Sequence, residues 1–288
     1  MNQNDFDFLR KYLKEQSGLV LSQDKVYLVE SRLVPVARKY DIPDLEGLIA
    51  AVRSKVRPEL NTDVVEAMTT NESFFFRDIK PFESLRDVVL PKVVEARKAA
   101  GARTIRIWSA ACSSGQEPYT IGMLLKENPQ LLQGLNCEIV ATDLSLEILA
   151  KAKEGIYSQF EAQRGLPIQL LVKYFRQVGE HWQVVPEIRS MVNYQQANLL
   201  ADLSRFGRFD VVYCRNVLIY FDNETKGDVL GRIRRQMADD GFLYLGGAES
   251  VLGISDAFAT LPGQRGVYVC ADRNAKPVVP AAPLAKTA

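Results

Sequence analysis

Apolar positions over the first eighty residues recur at helical spacing. Phe6, Leu9 and Leu13 fall at i, i+3 and i+7, one stripe of a helix, and Ser17-Gly18 supplies its stop. Val26, Val29, Leu33 and Ala37 repeat the stripe. Pro35 is expected to kink or shorten that second helix, because it has no N–H for the preceding turn. Asp41-Ile42-Pro43 reads as a turn, and Asp44 as the N-cap of a helix over Leu45–Lys55. A short helix follows over Asn61–Met68. A longer one over Asp78–Ala100, interrupted near Pro91, leads out of this all-helical block.

From Thr104 the texture changes to short apolar runs alternating with amphipathic ones. Strands are predicted at Thr104–Ala110, Cys137–Thr142, Val192–Ala197, Phe209–Cys214 and Phe242–Gly246. Helices are predicted at Pro118–Lys126, Ser145–Glu154 and Thr225–Met237, the last closed by a turn at Asp239-Asp240-Gly241. Such alternation implies an α/β fold with a parallel sheet. Ala257–Leu261 and Gly266–Cys270 flank a Pro-Gly turn and suit an antiparallel hairpin at its end. The stretch 155–190 breaks the alternation and reads as an insertion, with a helix over Ile168–Phe175 and a small hairpin around Val178–Val185. The expected organisation is a helical N-terminal domain over 1–76, a linker helix over 77–100, an α/β domain over 101–272 and a disordered tail over 273–288.

Composition narrows the chemistry. With 288 residues, 47% of them apolar and 25% charged, the chain is globular in character. Lys and Arg number 36 against 35 Asp and Glu, a net charge of +1, which gives no support to nucleic-acid binding. The four cysteines form no CxxC pair and there is one histidine, His181. A multi-histidine metal site cannot be built, no zinc site or disulfide framework is expected, and a histidine-based triad has one candidate. No apolar run is long enough to span a bilayer and the N-terminus has no signal-peptide pattern, so no membrane insertion and a cytoplasmic location are expected.

Four motifs carry chemistry. Ser109-Ala-Ala-Cys-Ser-Ser-Gly115-Gln-Glu117-Pro-Tyr119 follows a strand and opens a helix. Its small side chains let a ligand approach the backbone, although a plain tight turn explains them too. The dinucleotide pattern GxGxxG is absent, and Glu117 stands where it would repel a pyrophosphate and welcome a cation. Asp143 ends the next strand, where an acid commonly binds both ribose hydroxyls; alternatively it caps the following helix, unless Ser145 does so. Together these favour a nucleoside cofactor without a pyrophosphate, which S-adenosylmethionine fits. Arg215 and Tyr220, in Cys214-Arg-Asn-Val-Leu-Ile-Tyr220-Phe221, are candidates for holding a carboxylate, with a salt bridge from Arg215 to Asp222 or Glu224 as the alternative. In Thr70-Asn71-Glu-Ser73-Phe-Phe-Phe-Arg77, the polar side chains suit a pocket edge, Arg77 can meet a ligand carboxylate, and one or two phenylalanines belong to the core.

These motifs, with Asn198-Leu199-Leu200 between the third and fourth in chain order, resemble the CheR-type chemoreceptor methyltransferases of bacterial chemotaxis, from Asp5 to Cys270. The resemblance implies a class I S-adenosylmethionine-dependent methyltransferase domain (Rossmann-like), a small β-subdomain insertion and an all-helical N-terminal domain. It implies that Asn71, Ser73, Arg77, Glu117, Asp143, Asn198, Leu199, Cys214 and Arg215 line the cofactor pocket, and that receptor glutamates are methylated to γ-methyl esters. Arg215 and Tyr220 are then expected to orient the substrate. A basic face including Arg32, Arg38 and Lys39, within Lys25–Arg57, is expected to steer to the acidic helical region of the receptors. The single glycine in Tyr174–Trp182 resembles the members that dock without a receptor pentapeptide. A methyltransferase for another acceptor and a non-catalytic nucleoside-binding adaptor are the alternatives.

Overall fold

In the computed structural model, which describes residues 1–271, the chain begins with α1 (Gln3–Ser17), α2 (Val26–Lys39), α3 (Leu45–Ser54) and α4 (Pro58–Met68). Their apolar stripes share one core that includes Leu9, Leu13, Val29, Leu33, Leu48, Val52, Leu60 and Val64. Local signals end the helices where the sequence places them. The Asn2 side chain accepts from the Asp5 amide, Gly18 closes α1 in the left-handed conformation, and Asp44 caps α3 through the Gly47 amide. Pro35 does not shorten α2, which runs on to Lys39. It lies on the exposed side, so the carbonyl it leaves unpaired faces water, while Val29, Leu33, Val36 and Ala37 hold the buried face. Helix α4 starts earlier than its pattern suggests, with Pro58 in the first turn, where a missing N–H costs nothing.

The next helical run is α5 (Lys80–Ser84), a π-helical turn over Leu85–Val89, and α6 (Leu90–Ala99). The interruption expected near Pro91 is this wide turn. The Leu90 amide bonds Leu85 just before the residue that has none to give. Phe82, Leu85, Val89, Leu90, Val93 and Val94 all pack into the core of the sheet that follows.

That sheet is built from β1 (Thr104–Ala110), α7 (Gln116–Glu127), β2 (Asn136–Asp143) and α8 (Leu146–Glu154). An insertion follows: β3 (Ile156–Ser158), α9 (Gln159–Gln163), α10 (Ile168–Tyr174), β4 (Phe175–Val178), β5 (His181–Val184) and α11 (Pro186–Arg189). The chain then returns with β6 (Val192–Gln196), β7 (Phe209–Cys214), α12 (Asn223–Arg235), β8 (Met237–Leu245), β9 (Phe258–Thr260) and β10 (Val267–Cys270). The strand order is β6-β2-β1-β7-β8-β10-β9. The first five strands are parallel, and β10 joins antiparallel to β8 and β9. The chain adds β2 and β6 on one side of β1 and then β7 and β8 on the other, so the strand order reverses between β1 and β7. In open α/β sheets that reversal opens a crevice at the strand C-terminal ends.

Two local expectations are corrected. The insertion holds a three-stranded sheet, β3-β5-β4, rather than a hairpin alone, because Ile156–Ser158 pairs with Gln183–His181. Asp239-Asp240-Gly241 is no turn between elements but a bulge within β8. Pairing passes from Phe209↔Met237 to Val211↔Phe242, so two steps along β7 match five along β8. Arg234 and Arg208 pair with Asp239, and Arg97 with Asp240, which holds the bulge outward. The predicted disordered tail lies outside the described residues. Among the described residues no helix is long and apolar enough to cross a membrane.

Candidate functional site

A cleft opens at the strand C-terminal ends, and Ser17 together with the segment after α1 (Leu19) contributes to its wall. Asn71, Ser73, Arg77, Glu117, Asp143, Asn198, Leu199, Arg215 and Tyr220 all line it. Residues spread over 150 positions of sequence are thus brought to one place. Cys214 is the exception among the candidates. It ends β7 fully buried in the apolar layer with Ala110, Val212 and Leu218, and burial pushes its thiol up. Strand alternation sends its side chain away from the cleft that Arg215 enters.

The loop after β1 is shaped by unusual backbone. Ala111, Ser113 and Gly115 have φ of 54°, 52° and 91°. Phe76, Asp78 and Asn216, in segments that border the same cleft, are also left-handed at 52°, 62° and 59°. Such conformations cost free energy in non-glycine residues and collect at functional sites. Hydrogen bonds hold this loop from several sides. Its Cys112 amide bonds the Thr142 carbonyl (2.9 Å), Ser113 Oγ donates to the Asn71 carbonyl (2.9 Å), and Tyr157 Oη donates to the Ser114 carbonyl (2.6 Å). At Gly115 a Cβ would stand 2.6 Å from Tyr194 Oη and 3.0 Å from Ala152 Cβ, so only glycine fits.

Asp143 is buried beside this loop. Its carboxylate accepts from the Ser113 amide at 2.8 Å and the Ser145 amide at 3.1 Å, while burial raises its pKa. Ser145 takes over the capping of α8, accepting from the Ile148 amide. A second acid, Glu66 on α4, reaches the same helix start and accepts from Ser145 Oγ (2.7 Å) and the Leu146 amide (2.9 Å). No local sequence signal marks Glu66, since its partners lie some eighty positions on.

Arg215 is the electrostatic centre. Its guanidinium donates to Glu117 Oε2 (3.1 Å), Asp78 Oδ2 (2.8 Å) and the Arg77 carbonyl (2.9 Å), and lies 5.7 Å from the centre of the Phe82 ring. Its Nε is buried without a hydrogen-bond partner. Asp222 and Glu224, the partners considered from sequence, pair instead with Lys14 at 2.6 and 3.7 Å. Glu117 also accepts from Ser109 Oγ at 2.8 Å. One cation between two carboxylates gives this trio a formal charge of −1.

The remaining candidates tie the cleft together. Asn198 Nδ2 donates to the Gln16 carbonyl of α1 (2.7 Å) and its Oδ1 accepts from the Leu200 amide (2.9 Å). Arg77 donates to the Glu72 carbonyl and lies 5.5 Å from the Phe74 ring centre. Of the three phenylalanines, Phe75 is fully buried between Tyr157 and Phe175, Phe76 packs edge-on to Phe82, and Phe74 lies under Arg164.

The expected basic face is smaller than its charges suggest. Arg32 is drawn into the fold, donating to the carbonyls of Met68 (2.7 Å) and Thr69 (2.8 Å), where α4 leaves acceptors unpaired. Lys39 pairs with Asp63 at 2.6 Å. Arg38 is exposed.

Comparison with known proteins matches residues 71–267 to the family model described as the CheR methyltransferase SAM binding domain, and residues 4–69 to the CheR methyltransferase all-alpha domain. The chain is 40% identical over 267 residues to chemotaxis protein methyltransferase Cher2 of Pseudomonas putida, covering 91% of this chain and 96% of that protein. It is 42% identical over 267 residues, with the same coverage, to chemotaxis protein methyltransferase 1 of Pseudomonas aeruginosa. The chemotaxis protein methyltransferase of Borreliella burgdorferi is 32% identical over 256 residues, covering 88% of this chain and 90% of that protein.

Proposed function

The chain belongs to the CheR methyltransferase family, and from that premise we propose that it methylates glutamate side chains in the cytoplasmic helical region of chemoreceptors, giving γ-glutamyl methyl esters. The observation that carries this reading is the convergence of Asp143, the Ala111–Gly115 loop, Arg215 and Tyr220 on one cleft. Its residues suit S-adenosylmethionine. Asp143 would hold the ribose hydroxyls, the small side chains after β1 leave room against the backbone, and the net negative Arg215 trio suits a sulfonium. Arg77 would meet the carboxylate of the amino-acid end.

S-adenosylmethionine supplies the electrophilic methyl group. The acceptor needs little chemical help, because a glutamate with a reference pKa near ~4.3 is already a nucleophilic anion at neutral pH. The chain's own residues therefore bind, orient and exclude water. In this reading Tyr220 orients the acceptor carboxylate. Arg215, whose donors are committed to Glu117, Asp78 and Arg77, acts as a positioning residue for that wall of the cleft. Positioning of this kind contributes several kcal/mol, up to roughly 7–11 in the best intramolecular cases. Ser17 and Leu19 help close the cleft from above, which strengthens the remaining electrostatics.

The helical bundle is the receptor-recognition unit in this reading, acting in the cytoplasm. Arg38, Lys55 and Arg57 supply exposed positive charge on it, so receptor methylation should slow as salt screens them. The two-residue Gly179-Glu180 turn between β4 and β5 supports docking without a pentapeptide tether. The test is calorimetry with S-adenosylmethionine, followed by labelled methyl transfer to receptor-bearing membranes. Alkali-labile label on receptor glutamates is the expected result. Cofactor binding without transfer would favour an adaptor, and alkali-stable label a different acceptor group.

A further inference from the structure

Glu249 is 9% exposed and contributes no atom to the cleft wall. Its carboxylate nevertheless gathers four backbone amides. One oxygen accepts from Gly246 (2.6 Å) and Asn216 (2.8 Å), and the other from Val217 (3.0 Å) and Ile219 (3.2 Å). A carboxylate offers about four lone-pair sites, so backbone donors alone fill it. Its lone pairs are taken up by the backbone, which leaves none for a substrate or an ion pair.

The donors come from two strands' ends. Gly246 follows β8, and Asn216, Val217 and Ile219 belong to the segment after β7 that carries Arg215 and Tyr220. Asn216 is held at φ 59°, a left-handed conformation that asparagine adopts more readily than most residues. The approach of the two segments is close: a Cβ at Gly246 would lie 2.7 Å from Asn216 Nδ2 and 2.7 Å from Glu249 Oε2. Asn216, Val217 and Tyr220 line the same cleft as Asp143 and the loop after β1.

We propose that Glu249 is the positioning residue for the acceptor side of the site, fixing the backbone of Asn216–Ile219 so that Tyr220 is presented to the acceptor. This rests on the functional reading above in assigning that side to the acceptor. Glutamine is the informative replacement. It keeps the shape, but its NH₂ faces two of the four amides, donor against donor. Misplacing a positioned group by an ångström costs on the order of 10²-fold in rate.

The experiment compares the wild type with Glu249→Gln in two measurements. Hydrogen exchange is followed in peptides spanning 214–221 and 243–250, and kcat is set against the S-adenosylmethionine Kd. The expected result is faster exchange in those two peptides alone, with kcat reduced about 10²-fold and cofactor affinity little changed. Unchanged exchange there overturns the positioning role, and it does so without cofactor or acceptor, so it is distinct from a failure of the functional reading. A parallel loss of cofactor affinity, kcat and exchange protection throughout the fold also overturns it, since that is the signature of general destabilisation. Glu249→Asp, whose shorter arm cannot reach both segments, is read the same way if the glutamine variant proves insoluble.

Discussion

Replacing Gly115 by alanine tests the shape of the loop after β1 directly. Gly115 sits at φ 91°, where an L-residue pays roughly 1–2 kcal/mol. The added Cβ would lie 2.6 Å from Tyr194 Oη, against about 3.5–4.0 Å for ordinary contact. Overpacking of that kind adds about 1–3 kcal/mol, so Gly115→Ala should destabilise by about 2–5 kcal/mol. Tyr194 allows the two contributions to be separated. Its hydroxyl is buried without a hydrogen-bond partner, so Tyr194→Phe by itself should change stability little. In the double variant the atom causing the closest overlap is gone, while the backbone strain and the 3.0 Å approach to Ala152 Cβ remain. A coupling of about 1–2 kcal/mol is expected between the two sites. The assay is equilibrium urea unfolding of the four proteins, with S-adenosylmethionine affinity by calorimetry alongside. Strict additivity would refute the steric argument, and a neutral Gly115→Ala would refute the strain argument as well.

Three further outcomes follow from the site and its supports. Asp143→Asn turns an NH₂ toward a backbone amide and removes an acceptor, so cofactor affinity should fall by about tenfold or more, as for a lost hydrogen bond to a charged group of ~1.5–3 kcal/mol; an unchanged Kd would sink the ribose assignment. Arg215→Ala leaves Glu117, largely but not fully buried, without its cation, at a cost below the ~3–5 kcal/mol of a broken fully buried pair, whereas Asp78, about half exposed, returns to water. Turnover should fall with it, Arg215→Lys should rescue only partly because an ammonium cannot span both acids, and Tyr220→Phe should lower turnover with cofactor binding intact. If Arg215→Ala and Tyr220→Phe both turned over normally, these roles would be wrong. The Lys14 ammonium, followed by the Thr225 amide, holds the Asp222 carboxyl down at about 2, from 3.8. A depressed folded pKa gives stability that is present above the unfolded value and lost as pH falls through the folded one. The stability gap between wild type and Lys14→Met should therefore be open at pH 5 and close toward pH 2, and a gap independent of pH would contradict the pairing.

Much of the scaffold was legible because its signals are local. The helical stripes of α1 to α4, the caps Asp44 and Ser145, the boundaries of β1 and β7 and the Pro-Gly hairpin each depend on residues a few positions apart. Candidate site residues could be read for a related reason. Strand ends in an alternating α/β pattern point to one crevice, so Asp143, Arg215 and Tyr220 could be placed there without coordinates. Cys214 was misplaced by one step of strand alternation, since a motif names neighbours without saying which of them turns inward.

The sequence by itself determined the alternation of the main helices and strands and the two-part organisation of a helical bundle followed by an α/β domain. Tertiary structure alone decided how the charges are spent. Arg215 clamps Glu117 and Asp78, Arg32 caps carbonyls at the end of α4, and Lys14 answers Asp222. It also brought Glu66 to the start of α8 and set Glu249 beneath four amides. The reason is physical. Propensity, caps and periodicity act over a turn or two of chain, whereas a buried charge must be matched by whatever donors the fold carries to it, and those lie tens to more than a hundred residues away.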